Sequence, residues 1–248
     1  MNDRPLAGKQ ALVTGAGVRL GRAIAVALGR AGADVAVHYH ASLAGARETV
    51  AALEALGVRA PLVQADQADP DDVRRMFAAV DAAFGGLDVL VNSAGILERR
   101  PLEAIDDGAW RRMLDVNLSG PFYTCREAAP RLAARGGGAI VNVVDVAADH
   151  PWPAHAHYCA AKAGLAGLTR QLAVELAPRN IRVNGVAPGA VLMPEDYDAE
   201  KRARIVARVP MKREGDPEDV ARTVVFLAGG PSYLTGQIVA VDGGRSLG

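Results

Sequence analysis

Short apolar runs alternate with longer Ala-rich segments of helical period along almost the whole chain, and this alternation constrains the fold more than any other feature. Strands buried on both faces read as continuous apolar runs, and parallel strands need a crossover, usually helical, between them. Residues 10–14 read as a first strand, 19–31 as a helix, 34–39 as a second strand and 44–56 as a second helix. Further strands are expected at 59–65, 87–91, 139–144, 181–187 and 237–241, seven in all, with helices in most intervals. This pattern predicts an α/β chain with a doubly wound sheet of seven mainly parallel strands and helices on both faces. No Pro- or Ser-rich linker, low-complexity tract or short repeat divides it, so one domain over residues 1–248 is expected. Residues 189–213 stand apart, with Pro194, Pro210 and a charged run at 196–204, and read as either a lid over substrate or a solvated connection.

Half of the 248 residues are hydrophobic, enough for a large core. Lys plus Arg and Asp plus Glu are 28 each, so no overall field draws the chain to nucleic acid or an anionic membrane. The N-terminal residues offer no apolar core for a signal peptide, and the expected location is cytoplasmic. Cys125 and Cys159 are isolated and read as reduced. His155 and His157 lie close to Cys159 in sequence, but loop neighbours point in different directions, so no metal site is expected.

The first expected strand runs through Thr14-Gly15-Ala16-Gly17-Val18-Arg19-Leu20-Gly21 straight into a helix. Glycines there allow positive φ and close approach of a ligand, and the unpaired N–H groups of a helix start attract a pyrophosphate. A dinucleotide and a Rossmann-type sheet are implied. A free ribose 2′-hydroxyl is usually held by a carboxylate at the end of the second strand, but here that end is His38-Tyr39-His40-Ala41-Ser42. His40 and Ser42, with Arg19 from the preceding turn, suit a 2′-phosphate, which predicts NADP(H).

Tyr158-Cys159-Ala160-Ala161-Lys162 places Tyr158 and Lys162 four apart, on one helical face. An ammonium beside a phenol is expected to lower its pKa and let it exchange a proton near neutral pH.

Together with Asn92-Ser93-Ala94-Gly95, Asn117, the run Arg182-Val183-Asn184-Gly185-Val186-Ala187-Pro188-Gly189 and the terminal Val241-Asp242-Gly243-Gly244, the sequence resembles the short-chain dehydrogenase/reductase family over essentially its whole length. The resemblance implies that Tyr158 is the general acid or base, that Lys162 binds the nicotinamide ribose and tunes Tyr158, and that Asn117 holds a water in a proton relay. It also implies cofactor contacts from Gly15, Gly17, Leu20, Gly21, Asp66 (to adenine), Gln67, Asn92, Ala94, Gly95, Pro188, Gly189 and Val191, and a homotetramer. The helices carrying Asn117 and Tyr158 would make one of its interfaces.

Two positions depart from the family. Where it carries a Ser that orients the substrate carbonyl, this chain has Asp145, which cannot donate a hydrogen bond unless protonated. The middle glycine of the turn is replaced by Arg19. Both substitutions, with His38-Tyr39-His40 and the ending Arg245-Ser246-Leu247, resemble the pteridine reductase branch and imply a pterin substrate whose ring N–H groups bond to Asp145. Ile96-Leu97-Glu98-Arg99, where that branch has a stacking aromatic, and Ala41, where it tends to carry Arg, speak against it. A carbonyl or 3-oxoacyl reductase is the alternative, and a non-catalytic NADP(H) sensor a second. Arg99, Arg100, Trp152 and His155 either line the substrate mouth or are ordinary surface residues.

Overall fold

The computed structural model describes residues 4–193 and 197–247. Strands β1 (Gln10–Val13), β2 (Asp34–Tyr39), β3 (Leu62–Gln64), β4 (Val89–Asn92), β5 (Gly138–Val143), β6 (Ile181–Pro188) and β7 (Ile238–Val241) form one sheet in the order β3-β2-β1-β4-β5-β6-β7. Every pairing is parallel. The helices are α1 (Arg19–Arg30), α2 (Leu43–Glu54), α3 (Pro70–Phe84), α4 (Asp107–Leu114), α5 (Gly120–Ala134), α6 (Ala156–Leu176), α7 (Ala199–Ala207) and α8 (Pro217–Gly229).

Strand side chains alternate between two cores. On one face Val13, Val35, Val37, Val89 and Val91 pack against Ile24 and Leu28 of α1, Leu53 of α2, and Val220 and Val224 of α8. On the other, Leu12, Leu90 and Ile140 meet Met76 and Phe77 of α3, Leu132 of α5 and Leu176 of α6. Fully burying one such side chain stabilises the fold by about 1.5–3 kcal/mol, so the two layers outweigh any local propensity. A buried polar chain runs between the layers: Thr124 donates to Asn92 (2.6 Å), Asn92 to Asn142 (2.9 Å) and Asn142 to Thr169 (2.9 Å).

Strand order reverses at β1 and β4, the crevice where such sheets bind ligands. The expected boundaries hold within a few residues, except that β3 is shorter than 59–65. Pro61 has no N–H to donate, and β3 is an edge strand with only β2 beside it. Thr14 also leaves β1: its hydroxyl accepts the N–H groups of Ser93 and Ala94, both at 3.0 Å, which ties the first turn to the end of β4.

The connection 189–213 is more than solvated chain. Asp198 caps α7 by accepting from the Lys201 N–H at 2.7 Å. Ile205 and Val206 of that helix, with Tyr197, pack on Ala190, Met193 and Val209 as a small separate core. Residues 194–196, with part of the charged run, lie outside the described residues.

Candidate active site

The turn after β1 brings the N-terminus of α1 to the crevice. Gly15 adopts φ +66, and a Cβ there would lie 2.8 Å from the Ala94 backbone. A Cβ on Gly21 would lie 2.1 Å from the Gly15 carbonyl oxygen, so helix and turn close only over glycine. The residue preceding α1, Val18, supplies no side-chain cap. The first N–H groups of the helix are therefore left for an anion, and the cradle fits a pyrophosphate.

His38 and His40 divide. His38 is buried, accepts the Gly15 N–H at Nδ1 (3.0 Å) and bonds through Nε2 to the Ala65 carbonyl (3.0 Å), an assignment that makes it neutral. Burial pulls its pKa down to about 4. It clamps the turn, β2 and β3 together and is no phosphate donor. His40 is exposed and Ser42 half-buried, its hydroxyl oxygen 2.9 Å from where a Cβ on Gly17 would stand. No carboxylate stands at this strand end.

Arg19 takes φ +51, a left-handed conformation that glycine adopts freely and other side chains rarely do. Its guanidinium donates to the Leu192 carbonyl across the crevice, instead of lying beside His40 and Ser42. Other expected cofactor contacts also turn away. The Gln67 amide donates to the carbonyls of Ala94 (3.2 Å) and Val116 (2.8 Å), and the Asn92 side chain belongs to the buried polar chain. The Gln67 side-chain oxygen is buried without a hydrogen-bond partner among the described residues. Asp66 is half-buried, one oxygen accepting the Ala68 N–H at 2.9 Å. Pro188 ends β6, and Gly189 closes on Asp242, where a Cβ would lie 2.5 Å from that side chain. Val191 and the neighbouring Ala190 line a cavity of about 600 Å³ with Met211, Asp219 and Asp242, and none of Asp145, Tyr158 and Lys162 borders it.

Those three residues meet at the carboxyl ends of β5 and β6. Asp145, just past β5, accepts the Tyr158 hydroxyl at 2.8 Å with one oxygen and the Ala147 N–H at 2.8 Å with the other. Lys162, one turn along α6 from Tyr158, donates to the Val143 carbonyl at 2.8 Å, with its ammonium 5.8 Å from the Tyr158 ring centre. Burial lowers the Lys162 pKa to about 8. Burial raises the Asp145 carboxyl, against the bonds from Ala147 and Tyr158 and the charges of Lys162 and Arg245. The expected lowering of Tyr158 is not met: burial first, then the Asp145 charge and hydrogen bond, push the phenol well above its usual value. An acceptor carboxylate holds the proton on the phenol.

Asn117 lies in a π-helical turn, Asp115–Ser119, between α4 and α5. Its amide donates to the carbonyls of Ile96 (3.0 Å) and Met113 (3.1 Å), and its oxygen accepts the Ile96 N–H at 3.3 Å. A Cβ on Gly95 would meet the Asn117 side-chain oxygen at 2.7 Å and the Lys162 ammonium at 3.8 Å, so Gly95 forms a floor between them. Such π turns occur often at functional sites.

Trp152 stacks on Tyr158 with ring centres 6.2 Å apart and planes 23° apart, and the Arg245 guanidinium lies 5.1 Å from the Trp152 ring centre. Arg245 was not among the residues expected here. Nothing in its sequence neighbourhood shows that the C-terminal turn folds back over the active site.

A dinucleotide cradle, a Tyr–Lys pair on one helix face and a carboxyl group beside the phenol define a nicotinamide-dependent oxidoreductase site. Residues 15–246 match the family described as enoyl-(acyl carrier protein) reductase. The chain is 43% identical over 248 residues to 3beta-hydroxysteroid dehydrogenase 1 of Eggerthella lenta, covering 98% of this chain and 95% of that one. It is 41% identical over 242 residues to the 3-oxoacyl-(acyl-carrier-protein) reductase of Staphylococcus aureus, covering 96% and 98%. A gluconate 5-dehydrogenase from Burkholderia cenocepacia, solved with NADP and tartrate, superposes with a TM-score of 0.92 at 31% identity, covering 99% of this chain and 98% of that one. The chain belongs to the short-chain dehydrogenase/reductase family. The comparisons give no support to the pteridine reductase branch within it. Among the described residues no helix is long and apolar enough to cross a membrane.

Proposed function

We propose that the protein is a cytoplasmic, NADP(H)-dependent carbonyl reductase or alcohol dehydrogenase, acting on a ketone or 3-oxoacyl group and the corresponding secondary alcohol. The observation that carries this reading is the Tyr158 hydroxyl, directed by Asp145 and set one helical turn from Lys162. A nicotinamide held here would supply the hydride to the carbonyl carbon, or take it back from the alcohol. The helix start at Arg19, Leu20 and Gly21 holds the pyrophosphate, Asp66 takes the adenine, and Lys162 takes the nicotinamide ribose. His40 and Ser42 receive a 2′-phosphate at a strand end that lacks the carboxylate suited to a free 2′-hydroxyl. The NADP bound to the gluconate 5-dehydrogenase agrees with this choice.

Tyr158 gives its proton to the substrate oxygen as charge develops there, and a water held at Asn117 relays the replacement. Asp145 stands where a hydroxyl would otherwise orient the carbonyl. As the acceptor of the Tyr158 hydroxyl it aims the phenol at that oxygen instead of donating to the oxygen itself. Helix α7 covers the substrate as a lid, seated on Ala190, Met193 and Val209. The exposed Phe122 on α5 and Val174 on α6 suit those helices to subunit contact, so we expect a homotetramer, which light scattering on the purified protein checks.

The test is oxidation of NADPH, and separately of NADH, with aliphatic ketones, 3-oxoacyl esters, 3-oxosteroids and dihydrobiopterin. Turnover of carbonyls with NADPH preferred is the expected result. Turnover confined to the pterin overturns the reading, and a preference for NADH overturns the cofactor assignment. Tight NADPH binding with no turnover across the panel makes the protein a sensor.

A further inference from the structure

The C-terminal turn is built to aim one side chain. Asp242 accepts the N–H groups of Gly244 (2.9 Å) and Ser246 (2.7 Å) through its two carboxylate oxygens. Gly243 and Gly244 take φ +63 and +85, which few other residues adopt. The turn carries Arg245 over the indole of Trp152 at 5.1 Å, and that indole lies against Tyr158 at 6.2 Å. Asp242 is occupied by the backbone and forms no ion pair with Arg245. Among the described residues the Arg245 guanidinium has no hydrogen-bonded or ion-paired partner, although it is half-buried. Its electrostatic neighbours are Asp145, Asp242, Arg208 and Tyr197, the last two flanking α7. The guanidinium therefore lies between Asp145 and the residues that flank α7.

A half-buried guanidinium with no hydrogen-bonded anion among the described residues is unfavourable, and the more distant charges of Asp145 and Asp242 and contact with an aromatic face compensate only in part. The fork of N–H donors matches a carboxylate bidentately. We infer that Arg245, supported by Trp152, is the substrate-specificity residue of this site and receives a carboxylate group of the substrate, one indole width from the carbonyl at Tyr158. The favoured substrates are short oxo acids, or the corresponding hydroxy acids, with a few carbons between carbonyl and carboxylate. This rests on the proposed carbonyl chemistry at Tyr158.

The experiment measures binding by calorimetry to the protein saturated with NADP+, using 4-oxopentanoate and its methyl ester, with 3-oxobutanoate and 5-oxohexanoate and their esters to bracket the length. In the unsubstituted protein at least one acid binds about 10-fold or more tighter than its ester, and the preference falls as salt rises. Arg245→Gln collapses the acid-to-ester ratio to about one, while Arg245→Lys, which keeps the charge without the fork, retains part of it. An unsubstituted protein that binds acid and ester alike, or an Arg245→Gln variant that loses both equally, overturns the inference, because a role confined to bracing Trp152 moves both ligands together. If Arg245→Gln does not fold, the acid-to-ester ratio and its salt dependence in the unsubstituted protein still decide. An acid preference that depends on Arg245, with no hydride transfer to any oxo acid, refutes the carbonyl reductase reading and leaves the anion subsite standing.

Discussion

Tyr158 is held by its hydrogen bond to Asp145, with the Lys162 ammonium 5.8 Å from its ring centre, and substitutions test the hydroxyl and its carboxyl partner separately. Tyr158→Phe removes the hydroxyl that Asp145 accepts, without touching the α1 cradle. Expected is a fall in kcat of about 100-fold or more, with the NADPH dissociation constant, read by fluorescence titration, within a few-fold of the unsubstituted value. Asp145→Asn removes a negative charge that, after burial, raises the phenol. The alkaline limb of the kcat/KM profile should then move to lower pH; a limb that stays put would mean that Asp145 acts by shape alone. In the unsubstituted protein reductive turnover should also decline as pH rises through about 8, where Lys162 loses its proton. His38 gives a stability test with the opposite sign of slope. Its folded pKa of about 4 lies below the ordinary 6.5, so below pH 6.5 the unfolded chain takes up a proton that the folded one refuses. Stability contributed by His38 is complete above that pH and is lost as pH falls from 6.5 towards 4, about 3 kcal/mol over the window. Urea denaturation at pH 7 and pH 4.5 should show a smaller acid loss in His38→Gln than in the unsubstituted protein. A strand buried on both faces has no polar side to mark direction, which is why the inward turn of His38 and the outward turn of His40 could not be told apart in the sequence.

Elements bring these residues together through close approaches that allow no extra atom. The β4 exit and the π turn meet at Gly95, where Asn117 is locked by hydrogen bonds to Ile96 and Met113 and cannot yield. Gly95→Ala should therefore shift Asn117 against Lys162, raising KM for NADPH and lowering kcat together, with the urea midpoint reduced by a smaller fraction. The strand and helix sequence was legible because two-sided burial writes long apolar runs, as in Val89-Leu90-Val91, and helices between them repeat at their own period. The π turn left no trace, since a one-residue widening has no compositional signature. Helix α7 was obscured by its charges: of its apolar side chains only Ile205 and Val206 reach the small core under it.

At the scale of the whole molecule, the catalytic pair, the cradle and the family were readable because each is a local string of residues. Trp152 was readable only as a choice between substrate mouth and ordinary surface, and Arg245 not at all, since their meeting depends on a C-terminal turn crossing back over the loop before α6. The same sheet order governs how the molecule is made. Strand β1 is synthesised before either neighbour, yet it lies between β2 and β4, and the pairing partner at its open edge, Val89–Asn92, comes some eighty residues later. Tyr158 and Lys162 come later again, and Arg245 last of all. A nascent chain thus carries a fully buried strand with one edge bare until β4 arrives, and long-range parallel pairing of this kind closes slowly. No shortened product that stops before α6 can hold a catalytic pair, so such a product exposes the aggregation hazard of that bare edge without any activity in return.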